Sequence, residues 1–267
     1  MSKIPVSVGI LTFNSGETLE RALESVKDFA EIIICDGGST DSTLDIARTY
    51  DARIIEQDSK FKNEDGTLKD YSGVRNQCIE EANFSWFLYI DSDETIDDNL
   101  AEEIRGIVSD AENKNLVYGL RPRIIYNGKR IEYSSNYPGW QKRFFNIKSG
   151  ARFIKPVHER IAFNEDVVEG RLNSHWYYYV EDDFSLEKLT KYAKMEADLF
   201  LIRKKHPLIR GIIQRLIIVL KITVKSLRNY IFHGFKKSMP PRAELRRIRY
   251  NLLVIKFLLW PKKMEQK

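Results

Sequence analysis

Residues 86–94 read Trp-Phe-Leu-Tyr-Ile-Asp-Ser-Asp-Glu, an apolar, aromatic run that stops abruptly at three acids. Such a run suits a buried central strand. Its acids then fall at the strand's carboxyl end, the edge at which open α/β sheets bind ligands. Asp91 and Asp93, with small Ser92 between them, can share one hard divalent cation, which can in turn hold a diphosphate. An isolated pair of this kind more often caps a turn before a helix. Three other loops shift that balance. Thr12-Phe13-Asn14 follows an earlier strand pattern. Residues 36–43, Asp-Gly-Gly-Ser-Thr-Asp-Ser-Thr, join glycines for a tight turn to hydroxyls and carboxylates that can read a base and a ribose. Gly73-Val74-Arg75-Asn76 sets an arginine near a helix start, suited to fixing a loop or a phosphate.

Alternating strand and helix patterns must position these loops. Residues 6–12, 31–35, 53–56 and 86–90 read as strands. A helix follows Asn14 and Ser15, with Leu19, Ala22, Leu23 and Val26 at helical spacing. Residues 39–50, with Leu44 and Ala47 inward, and 71–83, with Val74, Cys78, Ile79 and Ala82 inward, read as two more. Repeated βα units imply a parallel sheet with helices on both faces. The polar stretch 58–70 reads as a mobile loop. After a helix at 97–113 the pattern turns antiparallel. Strands are expected at 116–126, 129–133, 141–145 and 158–163, with a hairpin at Asn127-Gly128. A helix at 185–205 completes the body.

The 267 residues suffice for one large α/β domain and an appendage, and 43% apolar content supports a core. Cys35 and Cys78 fall in core-facing patterns and read as buried thiols in a reducing cytosol. The amino-terminal segment reads as a first strand and not as a signal peptide. The net charge of +5 conceals an asymmetry: 18 basic and 2 acidic residues lie from Leu201 onward, against 25 and 36 before it. A basic tail implies an anionic partner. Within 208–235, Arg210, Gln214, Lys221, Lys225 and Arg228 form a narrow polar stripe, broken by Arg215. Ile212, Ile213, Leu216, Ile217 and Leu220 make a wide apolar face. Arg242, Arg246, Arg249 and Lys256 repeat the theme. No stretch reaches the roughly 18 uncharged apolar residues of a membrane span. These helices are therefore expected to lie in the plane of an anionic leaflet. Packing on the body or in a homo-oligomer is the alternative. The apolar face is too wide for a solvated nucleic-acid arm.

The four loops, TFN at 12–14, DGGSTDST at 36–43, GVRN at 73–76 and DSDE at 91–94, resemble glycosyltransferase family 2, the inverting enzymes of GT-A fold. The resemblance covers roughly residues 4–205. It implies an α/β nucleotide-sugar-binding domain with a mixed central sheet over 1–206, followed by amphipathic helices over 207–267. It also implies a nucleotide-sugar donor, usually a UDP-sugar, and Mg²⁺ or Mn²⁺. Thr12, Asn14, Asp36, Gly37, Ser39, Arg75, Asp91 and Ser92 would line the donor site. In it, Asp36 would contact the base, Asp91 the ribose or metal, and Asp93 the metal and diphosphate. Residues 140–145 (WQKRFF), 155–159 (KPVHE) and 170–176 (GRLNSHW), with Lys188 and Tyr192, resemble the lipopolysaccharide core β-1,4-glucosyltransferases and related envelope enzymes. The Gln-x-x-Arg-Trp motif of processive synthases is absent.

Inversion requires an acceptor hydroxyl to attack opposite the departing diphosphate, with a general base to take its proton. Glu159 is the expected base, with His158 beside it as a further metal ligand or a diphosphate donor. Asp182 and Asp183 are reserve candidates. The expected activity is transfer of one hexose to a lipid-linked or lipopolysaccharide-like saccharide, by an enzyme peripheral on the inner face of the cytoplasmic membrane. A polyprenyl-phosphate glycosyltransferase is the alternative, since its anionic acceptor needs no base. A non-catalytic nucleotide-sugar sensor is disfavoured by both acids of the D-x-D pair.

Overall fold

A computed structural model of the chain describes residues 2–137, 139–156, 159–181, 185–203 and 207–260. The chain divides into two compact units, residues 1–123 with 138–178, and residues 124–137 with 179–267.

The first unit begins as its periodicity dictates. Strand β1 (Ile4–Thr12) is buried on both faces, and β2 (Phe29–Asp36), β3 (Arg53–Glu56) and β4 (Trp86–Asp91) join it in the parallel order β3-β2-β1-β4. Helix α1 (Leu19–Val26) buries Leu19, Ala22, Leu23 and Val26, the four positions its spacing selects. Helix α2 (Thr43–Thr49) starts four residues later than expected, because the N–H groups of Ser39 and Thr40 donate to the side chains of Asp36 and Asn14. There Ala47 is buried and Ile46, in place of Leu44, packs against the core. Helix α3 (Tyr71–Glu80) is capped by Asp70, which accepts the Gly73 N–H at 3.0 Å.

The antiparallel half continues the same sheet. The short strand β5 (Glu94–Ile96) leads into α4 (Asp98–Ser109), capped by Asp97. Strand β8 (Gln141–Asn146) pairs antiparallel with β4 and with β6 (Val117–Tyr126). The long strand β11 (Glu169–Val180) neighbours β6 and pairs antiparallel with β5. Strands β9 (Arg152–Ile154) and β10 (Arg160–Ala162) form a separate ribbon. The result is the mixed-sheet α/β architecture of GT-A type expected from the motifs. Strands β5, β9 and β11 carry no clean alternation and were not expected. Residues 58–70 were expected to be mobile, yet they are tied down. Lys62 donates to the Gly37 carbonyl at 2.9 Å, and the Lys69 N–H donates to the Phe61 carbonyl at 2.9 Å. A Cβ on Gly73 would stand 2.2 Å from the Phe61 ring, so only glycine permits this approach.

The second unit holds a hairpin and three helices. Asn127 and Gly128, both at positive φ, turn the end of β6 into β7 (Lys129–Ile131), as the Asn-Gly pair predicts. Helices α5 (Leu186–Arg203) and α7 (Pro241–Leu259) share a small core of Ala193, Ala197, Val254 and Leu258, against which α6 (Leu208–Lys237) packs Ile212. The Glu244 carboxylate accepts from the Ser135 N–H at 2.9 Å and its hydroxyl at 2.7 Å. The face that α6 buries is small and mostly polar: Gly211, Ile222, Ser226 and Asn229. Its larger apolar side chains lie outside. Ile209, Ile213, Leu220, Val224, Leu227 and Ile231 are each 48–67% exposed, and at 100° per residue they fall within about 60° of one another. Among the described residues no helix is long and apolar enough to cross a membrane.

Candidate functional site

Parallel register brings three strand ends to one edge of the first unit. Thr12 lies opposite Asp36, and Leu11 lies opposite Asp91. The loops that follow are stitched together. Thr12 Oγ1 donates to Asp36 Oδ1 at 2.8 Å, and the Ser39 hydroxyl donates to the same oxygen at 2.6 Å. Asp36 Oδ2 accepts the N–H groups of Gly38 and Ser39 at 2.8 and 2.7 Å. Burial works to raise the Asp36 carboxyl, but these four donors outweigh it and hold it below its ordinary value. All four acceptor positions of the carboxylate are used. Asp36 is thus the former of this loop, and a base N–H could reach it only by displacing a hydroxyl. Asn14, at φ 48°, accepts from the Thr40 N–H at 2.9 Å and donates its own N–H to Ser39 Oγ at 2.8 Å. Ser92 Oγ donates to Ser15 Oγ at 3.0 Å.

Arg75 is the hub of the polar site. Its Nη2 donates to Asp91 Oδ1 at 2.7 Å and its Nε to Glu159 Oε1 at 3.0 Å. The guanidinium lies 5.0 Å from the Tyr89 ring and 5.5 Å from that of Phe153. Buried Nη1 finds no acceptor among the described residues. Burial would raise the Asp91 carboxyl, yet Arg75 and then Arg143 hold it below its ordinary value. Asp93 goes the other way: partial burial and the Asp91 charge push it up.

A second arginine braces the acidic turn from below. Arg143 makes a two-pronged ion pair with Glu94, both about 5% exposed, while Glu94 Oε2 accepts the Asp91 N–H at 2.8 Å. The Arg143 guanidinium stacks 3.7 Å from the Trp176 ring centre. Glu94, the third acid of the triplet, is therefore spent on structure. Burial raises its carboxyl against the pull of Arg143.

Next to the Asp36 loop lies a cavity of about 570 Å³ lined by Thr12, Phe13, Gly37, Gln57, Thr67 and Tyr71 among others. Phe13 and Tyr71 are 64% and 42% exposed, and Gln57 is buried with its amide on the Cys35 carbonyl at 3.0 Å. Gln57, Tyr71 and the 65–68 segment were missed from sequence. Gln57 bonds to Cys35 of β2, Leu68 packs against the cluster of Cys35 and Val74, and the Tyr71 N–H donates to the Pro156 carbonyl at 3.0 Å, contacts that leave no local pattern.

The structure thus brings Arg75, Asp91 and Glu159 into direct contact, and Thr12, Asn14, Asp36 and Ser39 into one loop network, with Gly37 on the cavity wall. His158, Asp182 and Asp183 lie outside the described residues. A divalent cation fits the chemistry of Asp91 and Asp93, because their mutual repulsion is what a cation relieves. Mg²⁺-type sites commonly use one or two carboxylates plus substrate phosphate. Among the described residues no three His, Cys, Asp or Glu side chains converge on one such point. The acceptor-less Arg75 Nη1 fits an anionic oxygen beside them.

An uncharacterized glycosyltransferase of Rickettsia prowazekii, RP128, is 30% identical over 70% of this chain and 64% of its own length. The lipopolysaccharide core biosynthesis glycosyltransferase LpsC of Rhizobium meliloti is 27% identical over 77% of this chain and 75% of its own length. The chain spans 64%, 54% and 34% of the first three curated relatives it matches. The crystal structure of S. aureus TarS 1-349 with UDP-GlcNAc is similar at a TM-score of 0.49 and 16% identity, over 94% of this chain and 79% of that one. Residues 7–166 match the profile of Glycosyl transferase family 2. That span is more than half of the chain and includes the Asp36 loop, the Asp91 strand end, Arg75 and Glu159, so the protein belongs to glycosyltransferase family 2.

Proposed function

We propose that the protein transfers a single hexose, with inversion, from a nucleotide sugar to a saccharide acceptor carried on a lipid. One observation carries the reading. A single guanidinium, that of Arg75, joins a carboxylate suited to the donor diphosphate, Asp91, to one suited to the acceptor, Glu159. The cavity beside Asp36 takes the nucleoside, with Phe13 and Tyr71 as apolar walls for the base. A UDP-sugar is the simplest donor. A divalent cation held by Asp91 and Asp93 would supply charge neutralisation for the departing diphosphate. Arg75 adds positive charge there through Nη1. Glu159 takes the proton of the acceptor hydroxyl as that oxygen bonds to the sugar carbon and the bond to the diphosphate breaks on the opposite face. Arg75 fixes the rotamer of Glu159 meanwhile.

The second unit supports the lipid-linked part. An exposed apolar stripe on α6, with Arg210, Lys221 and Arg228 along one border, suits a helix lying in an anionic leaflet. The likeness to LpsC, whose name places it in lipopolysaccharide core biosynthesis, supports an envelope saccharide as acceptor. Nucleotide sugars with Mn²⁺, screened for protection against thermal unfolding, test the donor half. Glu159→Gln tests the chemistry: donor binding should persist while transfer falls about 10²-fold or more. If no nucleotide sugar protects, the reading fails. Unchanged transfer to a polyprenyl phosphate by Glu159→Gln would move it to the polyprenyl-phosphate alternative. Loss only in Asp182→Asn or Asp183→Asn would move the base.

A further inference from the structure

Gln57 follows β3 and lines the cavity next to the Asp36 loop. It is only 5% exposed, and both its backbone and its side chain are tied down. The backbone N–H donates to the Asp36 carbonyl at 2.9 Å. Side-chain Nε2 donates to the Cys35 carbonyl at 3.0 Å and to the Thr12 carbonyl at 3.4 Å. Only the N–H₂ end of an amide can meet two carbonyls, so the orientation of the group is fixed and Oε1 turns the other way. Among the described residues nothing donates to that oxygen. A Cβ on Gly37, another lining residue, would stand 3.2 Å from Oε1 and 3.1 Å from the Phe13 ring. The space over this glycine is therefore bounded by an open acceptor and an aromatic ring, and a side chain at position 37 would fill it.

We propose that Gln57 reads the base of the donor, its Oε1 accepting the N3–H of uracil. The inference rests on the reading of this cavity as the nucleoside site and adds the residue that selects the base, in place of Asp36. Three features carry it. A buried acceptor left without a donor is costly, and a ligand that supplies the N–H removes that cost. Asp36, the carboxylate to which the family resemblance points, has no open position, because donors from Thr12, Gly38 and Ser39 occupy both of its oxygens. The third feature is the match of edges. Uracil carries its N–H at the centre of its pairing edge, between two carbonyls. Cytosine and adenine carry an unprotonated ring nitrogen there, whose lone pair would face that of Oε1. Guanine carries a ring N–H beside an amino group, and so brings a second donor in need of an acceptor.

Titration calorimetry on the full chain, with Mn²⁺ present and UDP, CDP and GDP as probes, tests the assignment. UDP should bind at least about tenfold more tightly than CDP or GDP. Gln57→Met should weaken UDP about tenfold and CDP by less than about threefold, so that the preference disappears. Asp36→Asn, which disturbs the loop, should weaken UDP and CDP by the same factor and keep the preference. Gln57→Met also releases the Thr12 and Cys35 carbonyls, so the ligand is varied as well. In 3-methyluridine diphosphate a methyl group replaces the N3 proton, and wild type should bind it at least about tenfold more weakly than UDP. Equal affinity for these two ligands overturns the proposal. So does a Gln57→Met variant that weakens UDP and CDP alike, which would make Gln57 a packing residue. A preference lost in Asp36→Asn but kept in Gln57→Met returns the base to Asp36. A wild type that binds UDP, CDP and GDP equally sinks the role of Gln57 alone; one that binds no nucleotide sinks the donor reading as well.

Discussion

The strand-end loops of the first unit and helix α6 of the second treat their exposed groups in opposite ways. At the strand ends nearly every polar atom has a protein partner: Asp36 accepts four hydrogen bonds, and Arg75 satisfies two carboxylates. On α6 most large apolar side chains stay in water, while the buried face is Ile222 with small and polar residues. The first pattern preorganises a site, because groups already fixed need not be ordered when a ligand arrives. The second leaves apolar area to be covered by something other than the unit's own core. A folded protein tolerates each, but only the second is expected to cost little when erased.

The sharpest break in that comparison lies at Asp93. Its carboxyl is partly buried and crowded by Asp91, and these outweigh the help it gets from a backbone N–H and from the charges of Arg21 and Arg143. Asp93→Ala should lower transfer by about 10³-fold, the scale of losing several kcal/mol of charge stabilisation. The unfolding temperature of the ligand-free protein should stay level or rise. A fall in that temperature would show that Asp93 is structural.

Arg143→Met tests the buried brace. Removing one partner of a buried pair leaves Glu94 uncompensated and should cost about 3–5 kcal/mol. Replacing both, as Glu94→Gln with Arg143→Met, should restore much of the stability in chemical denaturation. Donor binding should stay impaired, since the acceptor of the Asp91 N–H is then altered. Additive losses in this double-mutant cycle would dismiss the brace.

A smaller effect is expected at Asp36. Asp36→Asn turns an amide N–H₂ toward groups that also donate and should cost about 1–3 kcal/mol. The pH dependence follows from the direction of the shift. The folded carboxyl lies below its ordinary value of 3.8, so its contribution is fully present above that value. It is lost as pH falls through the lowered folded value. Urea midpoints of wild type and Asp36→Asn should therefore converge at strongly acidic pH and diverge above it.

The smallest effect belongs to α6. Ile10→Ala, at a fully buried position of β1, should cost about 2–5 kcal/mol. Ile231→Ala, at a position 67% exposed, should change stability by no more than about 0.5 kcal/mol and weaken vesicle flotation. A large destabilisation at Ile231 would mean that the stripe is covered in solution, as in a homo-oligomer.

Much of this contrast is legible in the residue order. The run 86–91 announces a buried strand with acids at its end, and Leu19, Ala22, Leu23 and Val26 announce the buried face of α1, because short-range periodicity is what burial imposes on a chain. The apolar face of the tail can be read in the same way. Glu94 could not be sorted from Asp91 and Asp93 by sequence, since its partner Arg143 stands 49 positions away. Strand β11 escaped because its burial does not alternate: Leu172, Trp176 and Tyr177 are buried at irregular spacing, where neighbours change along its length. The ordering of 58–70 depends on Gly73 admitting the Phe61 ring, a fit between segments that no window of sequence contains.

The Glu94–Arg143 pair also bears on how the site responds to warming. The cost of stripping water from ions falls as temperature rises, while the stabilisation from apolar burial levels off. The turn carrying Asp91 and Asp93 hangs on that ion pair, clasped between Tyr89 and Trp176. Heat therefore loosens the aliphatic packing around β1 and α1 sooner, in relative terms, than it loosens the hold on the acids. In a melt followed residue by residue, the amide of Asp91 should be among the last at this edge of the sheet to exchange its proton.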